Sequence, residues 1–242
     1  MTTEEFSGAT KELEGGDGEF FDEIAARYDL LNRILSLGLD GRWRRRAVQA
    51  LELNGGEEIL DLATGTGDLA IEIAGSRSEI TVVGVDPSRE MIAVGEDKVR
   101  RAGLEDAVTL EFGDGQNLRF DDDHFDHCAI AFGIRNFPDR LQGLREMSRV
   151  VRSGGKVAIL ELSEPRKGVM AGMSRLYVHQ VVPRVGALLS GSEQYKYLQE
   201  SIAAFPPAEE FATMMEEAGL EDVTVHPLTF GVVNLFVGRV GM

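Results

Sequence analysis

The chain has 242 residues, with 25 Lys and Arg against 41 Asp and Glu, and a formal net charge of −16 at pH 7. This length suits one well-buried α/β domain with an insertion better than two independent domains. The acidic balance argues against a nucleic-acid substrate bound through its phosphates.

The chain opens on an acidic, glycine-rich segment and then becomes helical. Residues 1–19 carry too little apolar area to offset the entropy of ordering, so we predict that they are disordered. From Phe20 onward apolar residues recur at steps of three and four, which predicts a first helix. A second helix is predicted over residues 42–51, and together they form an N-terminal helical region over residues 20–53.

The run Arg42-Trp43-Arg44-Arg45-Arg46 breaks the acidic trend at the start of this second helix. It places an aromatic ring among cations, as helices that lie on membrane surfaces do. A solvated helix face is the competing interpretation.

An apolar strand over residues 59–62 leads directly into a glycine turn at Gly65 and Gly67. Glycine permits positive φ and has no Cβ, so a ligand can approach the backbone where the strand passes to a helix. A second strand ends at Asp86, about 20 residues beyond the glycines, which is the separation at which an acid reaches a ribose diol. With Asp61 before the turn, we predict that two carboxylates face one sugar.

The turn alone does not identify the nucleoside, because residues 65–70 also satisfy the G-x-G-x-x-G/A pattern of dinucleotide folds. An NAD(P)-dependent enzyme therefore stays open. Asp61 would repel a pyrophosphate but suits a cationic ligand, and Asp114 follows another strand, where an adenine edge would lie. Three acids at successive strand ends favour S-adenosylmethionine over NAD. Their simplest alternative role is as turn and cap residues.

Strands and helices alternate in the rhythm of a parallel sheet with crossover helices. The predicted elements after the N-terminal helices cover residues 59–62, 68–74, 81–86, 89–102, 108–112, 125–131, 139–151 and 156–162. The rhythm stops after Ser163, where an apolar helical segment predicts an inserted lid over residues 163–205. A helix over residues 208–218 and strands over 222–229 and 232–240 then predict a hairpin that closes the sheet edge.

The cysteine, histidine and hydropathy patterns indicate which cellular compartment, membrane segments and metal sites are expected. Cys128 stands alone in a predicted buried strand, so we expect no disulfide framework and a reducing, cytosolic environment. No stretch reaches about 18 apolar residues, and the N-terminus lacks a basic region with an apolar core, so neither a membrane span nor a signal peptide is expected. His124, His127 and His226 lack metal-ligand spacing, and no metal is expected.

Three blocks of sequence carry a family resemblance: residues 21–32 (FDEIAARYDLLN), 132–136 (FGIRN) and 195–202 (YKYLQESI). They resemble the class I S-adenosylmethionine-dependent methyltransferases, and among these the quinone C-methyltransferases that act on demethylmenaquinone and on the late ubiquinone precursor. The resemblance implies an α/β, Rossmann-like fold in a single domain over residues 20–242. Its expected parts are a mostly parallel seven-stranded sheet, a C-terminal antiparallel hairpin, N-terminal helices and the helical lid.

The resemblance also implies S-adenosylmethionine as cofactor and a lipophilic prenylated quinol as substrate. Many relatives have Asn-Ala where this chain has Asp114-Gly115, and an aspartate still accepts a hydrogen bond from the adenine amino group. Some relatives have Ser at the position of Ala131. The predicted cofactor-binding residues are Asp61, Gly65, Thr66, Gly67, Asp86, Met91, Asp114 and Gly115.

Methylation of a ring carbon needs an electron-rich carbon in line with the S–CH₃ bond. Loss of a phenolic proton from a reduced quinol supplies this electron density, so a group that stabilises the phenolate accelerates transfer. We predict Arg135 for that role, because a guanidinium stays charged and forks two N–H donors toward an oxyanion. His179 or a water is the predicted proton acceptor, and Asn136, Tyr177 and Tyr195 are predicted to orient the ring oxygens.

Each of these assignments has a structural alternative. Arg135 could instead pair with one of the many acids, and Asn136 could serve the turn before Pro138. His179 and the tyrosines could be packing residues of the lid.

The function predicted from the resemblance is C-methylation of demethylmenaquinol to menaquinol. C-methylation of the late ubiquinone precursor, 2-polyprenyl-6-methoxy-1,4-benzoquinol, and a non-catalytic cofactor-binding module of a quinone-biosynthesis complex are the alternatives. Because a polyprenylated quinol is dissolved in the bilayer, we expect a cytoplasmic protein whose Arg42–Arg46 run and lid transiently contact the inner face of the membrane. A homo-oligomer is left open.

Overall fold

The structure, a computed structural model, describes residues 25–163 and 192–241. The helices are α1 (Ala25–Leu35), α2 (Asp40–Leu51), α3 (Asp68–Ala74), α4 (Arg89–Ala102), α5 (Arg140–Val150), α6 (Ser192–Ala203) and α7 (Ala208–Glu217). The strands are β1 (Glu58–Leu62), β2 (Thr81–Asp86), β3 (Val108–Phe112), β4 (His127–Ala131), β5 (Lys156–Leu162), β6 (Leu220–Leu228) and β7 (Val233–Val240). None of the described helices is long and apolar enough to cross a membrane.

The strands form one seven-stranded sheet in the order β3-β2-β1-β4-β5-β7-β6. β1 to β5 are parallel, while β7 runs antiparallel between β5 and β6. This confirms the predicted mostly parallel seven-stranded sheet with a C-terminal antiparallel hairpin. The chain reverses its winding between β1 and β4, and in such sheets ligands bind in the crevice beyond the carboxyl ends of the strands at that point.

Both faces of the sheet are covered, as a mostly parallel sheet requires. Because side chains alternate along a strand, Leu60 and Leu62 pack on one face and Ile59 packs on the other. The first face is covered by α5 and α7, with the buried side chains Leu144, Met147, Phe211 and Met215. The second is covered by α2 and α3, with Ala47, Leu51, Leu69 and Ile73.

The element boundaries follow local signals in the sequence. Ser88 caps α4, since its hydroxyl accepts a hydrogen bond from the Met91 N–H at 3.1 Å, and Gly103 ends that helix at a φ of +67°. Asp139 caps α5 by accepting from the Gln142 N–H at 2.9 Å. The predicted and observed boundaries therefore agree within two residues for every described element whose ends were both predicted.

The observed strand boundaries differ slightly from the predicted ones where contacts between distant parts of the chain determine the end of a strand. Phe125 lies outside β4 and forms an isolated bridge with Val151, and β6 begins at Leu220 with an irregularity between Glu221 and Thr224. The predicted disordered residues 1–19 lie outside the described residues. So does most of the predicted lid, of which the structure describes α6 and the residues after it.

The structure corrects the interpretation of the arginine run on α2. Trp43 and Arg44 are buried, with 7% and 8% exposure, and the Trp43 indole N–H donates to the Thr229 hydroxyl at 2.9 Å. A helix face that packs on the sheet cannot present these two side chains to lipid. The predicted membrane contact is thus reduced to the exposed Arg42, Arg45 and Arg46, and stays a prediction.

Candidate active site

A cleft of about 470 Å³ opens at the carboxyl ends of the first four strands. This volume lies in the range of small-molecule sites in proteins. Six of the residues predicted for the site line the cleft: Gly65, Asp86, Met91, Asp114, Gly115 and Asn136. Apolar groups complete the walls, among them Val85, Phe112, Phe132 and Phe137.

Asp86 joins the glycine turn to the end of β2. Its Oδ2 accepts from the Gly65 N–H at 2.8 Å and its Oδ1 accepts from the Ser88 N–H at 2.9 Å. Gly65 can offer its N–H in this way because it adopts a φ of +56°, which is favourable for glycine. Asp86 lines the cleft and is 7% exposed, so its carboxylate lies at the cleft wall.

Two strand ends beside the cleft are held in an unusual backbone conformation. Ala63, after β1, has a φ of +50°, and Phe132, after β4, has a φ of +61°. Non-glycine residues rarely adopt this left-handed region, and such strain concentrates at functional sites. Gly133 lets the two segments meet, because a Cβ at this position would lie 2.5 Å from the Ala63 Cβ.

Asp61 lies in a smaller pocket that adjoins the cleft, with Tyr28, Gly65 and Phe132 forming walls of both. It was predicted to share one sugar with Asp86, but it is 1% exposed and does not line the cleft itself. Its Oδ2 accepts from the Thr64 hydroxyl at 2.6 Å, while its Oδ1 has no partner among the described residues. Burial raises the pKa of Asp61 to about 7.

Thr66 belongs to a network of charges beneath the glycine turn. Its hydroxyl donates to Asp29 Oδ1 at 2.6 Å and accepts from Lys98 Nζ at 3.0 Å. Lys98 also pairs with Asp29 at 2.7 Å and with Asp68. The Thr66 hydroxyl is therefore bound within the protein, and the network ties α1 to the glycine turn and to α4.

Arg44 extends the same network to α2. It pairs with Asp40 at 2.7 Å and with Asp68 at 3.3 Å, and it lines the small pocket with Asp61. Lys98 and Arg44 were not predicted as parts of the site, because their partners are distant in the chain. The partners of Lys98 lie 30 or more residues away, and Asp68 lies 24 residues from Arg44.

Arg135 lies beside a second, mostly apolar cavity of about 70 Å³ rather than in the cleft. This cavity shares the walls Tyr28 and Phe132 with the cleft. Its other apolar walls are Leu35, Trp43, Leu162, Leu198, Ile202 and Val232. A ring placed there would lie next to whatever the cleft holds.

Glu161, in β5, holds Arg135 in place. It is fully buried; its Oε1 accepts from Arg135 Nη1 at 3.0 Å and its Oε2 accepts from the Arg135 backbone N–H at 3.1 Å. Arg135 Nη1 also donates to the Phe132 carbonyl, whereas Arg135 Nε is buried with no partner among the described residues. The alternative role considered for Arg135, an ion pair with an acid, is thus present, and it engages Nη1 while the buried Nε keeps its donor unused among the described residues.

The lid helix α6 contributes a residue that sequence reasoning left out of the site. The Tyr197 hydroxyl donates to Asn136 Oδ1 at 3.1 Å, where Asn136 lines the cleft. The predicted Tyr195 lies in α6, but its side chain is outside what the structure describes, and so are Tyr177 and His179. Their roles stay predictions.

The residues of the cleft suit the cofactor that the resemblance implies. Asp86 offers acceptors for a ribose diol, and Asp114 offers one for an adenine amino group while its Oδ1 accepts from the Gln116 N–H at 2.9 Å. The unpartnered Oδ1 of Asp61 is a buried acceptor suited to a cationic group. Gly115 keeps the adenine side compact, because a Cβ there would lie 2.6 Å from the Phe137 ring.

Comparison with known proteins agrees with this site. The model of the ubiE/COQ5 methyltransferase family matches residues 10–239. The ubiquinone/menaquinone biosynthesis C-methyltransferase UbiE of Geobacter sp. strain M21 is 45% identical over 219 residues, 90% of this chain and 93% of that protein. The demethylmenaquinone methyltransferase of Deinococcus radiodurans is 42% identical over 221 residues, covering 91% and 90%. A SAM-dependent methyltransferase from Aquifex aeolicus shares the fold, with a TM-score of 0.62 at 17% identity, covering 90% of this chain and 98% of its own.

Proposed function

Because the chain belongs to the ubiE/COQ5 methyltransferase family, we propose that it methylates a ring carbon of demethylmenaquinol to give menaquinol. It is an S-adenosylmethionine-dependent C-methyltransferase of quinone biosynthesis. Membership in this family sets aside both the NAD(P)-dependent enzyme and the non-catalytic module. The observation that carries the proposal is the shared wall of Tyr28 and Phe132 between the cofactor cleft and the apolar cavity beside Arg135.

When bound, S-adenosylmethionine supplies an electrophilic methyl group on a sulfonium. Asp86 would hold its ribose diol, Asp114 would hold its adenine, and Asp61 would hold its cationic amino group. The apolar side chains of the cleft walls would help to displace water from the region next to the methyl group. Excluding water strengthens the electrostatic interactions made there.

Arg135 is proposed to stabilise the phenolate of the reduced quinol. Glu161 and the Phe132 carbonyl fix one end of its guanidinium, so its remaining donors are held in place before substrate binds. Donors that are already oriented toward a developing negative charge need no reorganisation during the reaction. The phenolate pushes electron density onto the adjacent ring carbon, which would take the methyl group as the S–CH₃ bond breaks and its electron pair stays on the sulfur. That ring carbon would then give its proton to a water, or to the predicted acceptor His179, which restores the aromatic ring.

Two points support the naphthoquinol over the ubiquinone precursor. Relatives from Deinococcus radiodurans and Bacteroides fragilis, at 42% and 41% identity, are named demethylmenaquinone methyltransferases. The walls of the cavity are mostly apolar, and a fused second ring buries more apolar area than a methoxy group does.

A competition assay tests the substrate. Purified protein is given S-adenosylmethionine labelled in the methyl group, with dithionite-reduced demethylmenaquinone and 2-polyprenyl-6-methoxy-1,4-benzoquinol of equal prenyl length. We expect kcat/KM to be at least tenfold higher for the naphthoquinol, since about 1.4 kcal/mol of extra burial corresponds to that ratio. Preference for the benzoquinol would replace the proposed substrate, and labelling of neither would overturn the proposal.

Binding of S-adenosylmethionine should weaken as the pH falls through 7. Burial raises the pKa of Asp61 to about 7, so its carboxylate loses its charge, and its attraction for a cationic amino group, below that pH. We expect the Kd measured by calorimetry to rise about tenfold between pH 8 and pH 6. In Asp61→Asn the binding should be weaker than in the wild type at pH 8, and the Kd should not depend on pH between pH 8 and pH 6.

Folding stability of the free protein should show the opposite dependence. Because the pKa of Asp61 is higher in the folded chain than its ordinary value of 3.8, the folded state binds more protons between about pH 4 and pH 7. The contribution of Asp61 to the free energy of unfolding therefore decreases as the pH rises through this window.

For the binding prediction, the contradicting outcome is a Kd of the wild type for S-adenosylmethionine that stays constant between pH 8 and pH 6. That result would contradict the assignment of Asp61 to a cationic group.

A further inference from the structure

A contact between the lid and the site determines how Asn136 can be used. α6 lies about 60 residues beyond Asn136 in the chain, yet its Tyr197 hydroxyl donates to Asn136 Oδ1 at 3.1 Å. Asn136 occupies the short 3₁₀ turn Ile134–Asn136 after β4, next to Arg135, and lines the cofactor cleft. A side chain that belongs to the lid thus reaches the wall of the cleft.

This contact fixes the orientation of the Asn136 amide. An asparagine side chain has one acceptor oxygen and two N–H donors on its nitrogen. Since Oδ1 is used by Tyr197, the group that Asn136 has left to offer is Nδ2, and no described residue accepts from it. The amide therefore offers a pair of donors, not an acceptor, to a ligand at this wall.

The surroundings of Tyr197 keep its hydroxyl a donor. The ring is half-buried, and burial raises the pKa of the phenol, while Arg135 and Arg140 oppose that rise. A phenol that stays protonated can donate to the amide oxygen, whereas a phenolate would compete for the amide N–H groups. Arg140 also donates to the Arg135 carbonyl at 3.0 Å, which helps to hold the turn in place.

We propose that Tyr197 is a positioning residue, which orients the Asn136 amide so that its N–H donors select a ring oxygen adjacent to the carbon that is methylated. This inference rests on the proposed function and extends it. The ligand it selects is an aromatic ring that carries a phenolate or carbonyl oxygen. Arg135 supplies the charge for that oxygen, and Asn136 supplies direction.

Three substitutions separate orientation from packing. Tyr197→Phe keeps the ring and removes the hydroxyl, Asn136→Ala removes the amide, and Asn136→Asp keeps an acceptor for Tyr197 but removes both donors. Tyr197→Phe should lower kcat/KM for the reduced quinol about fivefold to tenfold, the effect of one hydrogen bond. Asn136→Asp should lower it at least 100-fold, because a carboxylate repels the phenolate.

The double variant Tyr197→Phe/Asn136→Ala provides the decisive measurement. If Tyr197 acts through Asn136, the kcat/KM of the double variant should be no lower than that of Asn136→Ala alone. The matched control is Ser201→Ala, which removes another α6 hydroxyl, one that donates to the Leu198 carbonyl at 3.1 Å. The control should leave kcat/KM unchanged, and neither Tyr197→Phe nor Ser201→Ala should change the Kd of S-adenosylmethionine by more than about twofold.

Each outcome has a distinct meaning. Multiplicative losses in the double variant, or full activity in Tyr197→Phe, would overturn the inference while leaving the proposed function intact. A wild-type protein that binds S-adenosylmethionine but does not methylate the reduced quinol would overturn the proposed function instead. Melting temperatures measured for all variants show whether a loss of activity reflects a loss of folded protein.

Discussion

Replacing Asp86 with Ala should weaken the binding of S-adenosylmethionine by about 100-fold or more. The carboxylate accepts from the Gly65 N–H at 2.8 Å and from the Ser88 N–H at 2.9 Å, so its loss disturbs the glycine turn as well as the acceptor for the ribose. A hydrogen bond to a charged group contributes about 1.5–3 kcal/mol, and two such losses reach that factor. Calorimetry with S-adenosylmethionine and with its demethylated product measures the change.

Two further variants sharpen this test. Asp86→Asn keeps one acceptor oxygen but turns an N–H₂ group toward a backbone N–H, so we expect an intermediate loss of about tenfold. Asp97→Asn is the matched control, since Asp97 is an exposed acid of α4 that pairs with Arg100 at 2.6 Å. Wild-type affinity in Asp86→Ala would show that the cofactor is held elsewhere.

Much of the fold was predictable because its signals are local. The strands are short apolar runs, and the ends of α4 and α5 are marked by Ser88, Gly103 and Asp139, whose caps need no distant partner. The alternation of strands and helices then leaves few topologies, because crossovers between parallel strands are right-handed. β6 was placed less well, since an edge strand with an irregularity is defined by its partner β7 more than by its own pattern.

The site was predictable where function follows from position at a strand end. Asp86, Asp114 and the glycine turn come together because parallel strands bring their carboxyl ends to one edge. Asp61 shows the limit of this reasoning. It lies one residue before the end of β1, but its carboxylate is buried in the adjoining pocket, and the direction of a side chain depends on the packed helices rather than on spacing.

The residues that sequence reasoning missed act through contacts between distant parts of the chain. Glu161 pairs with a residue 26 positions away, and Tyr197 with one 61 positions away. The one signal for Glu161 is a charge within the apolar run of residues 157–162, because a buried carboxylate needs a partner. For Trp43 and Arg44, composition pointed to the surface, whereas the packing of α2 on the sheet buried both.

Replacing Arg135 with Met should lower kcat for quinol methylation about 100- to 1,000-fold, the effect of removing an oriented donor from a developing oxyanion. The same change should also destabilise the protein, by about 3–5 kcal/mol, because it leaves the fully buried Glu161 without its ion-pair partner. Single-turnover methyl transfer at saturating S-adenosylmethionine and urea unfolding measure the two effects separately.

The double variant Arg135→Met/Glu161→Gln distinguishes catalysis from stability. It removes both charges of the pair, so most of the lost free energy of unfolding should return, since replacing a whole buried ion pair is often close to neutral. The amide oxygen introduced by Glu161→Gln can still accept from the backbone N–H of residue 135, as the Glu161 carboxylate does at 3.1 Å. The rate of methyl transfer should stay as low as in Arg135→Met, because no charged donor faces the phenolate. Recovery of the rate together with stability would show that Arg135 serves only to neutralise Glu161, and would leave the donors of Asn136 to account for stabilisation of the oxyanion.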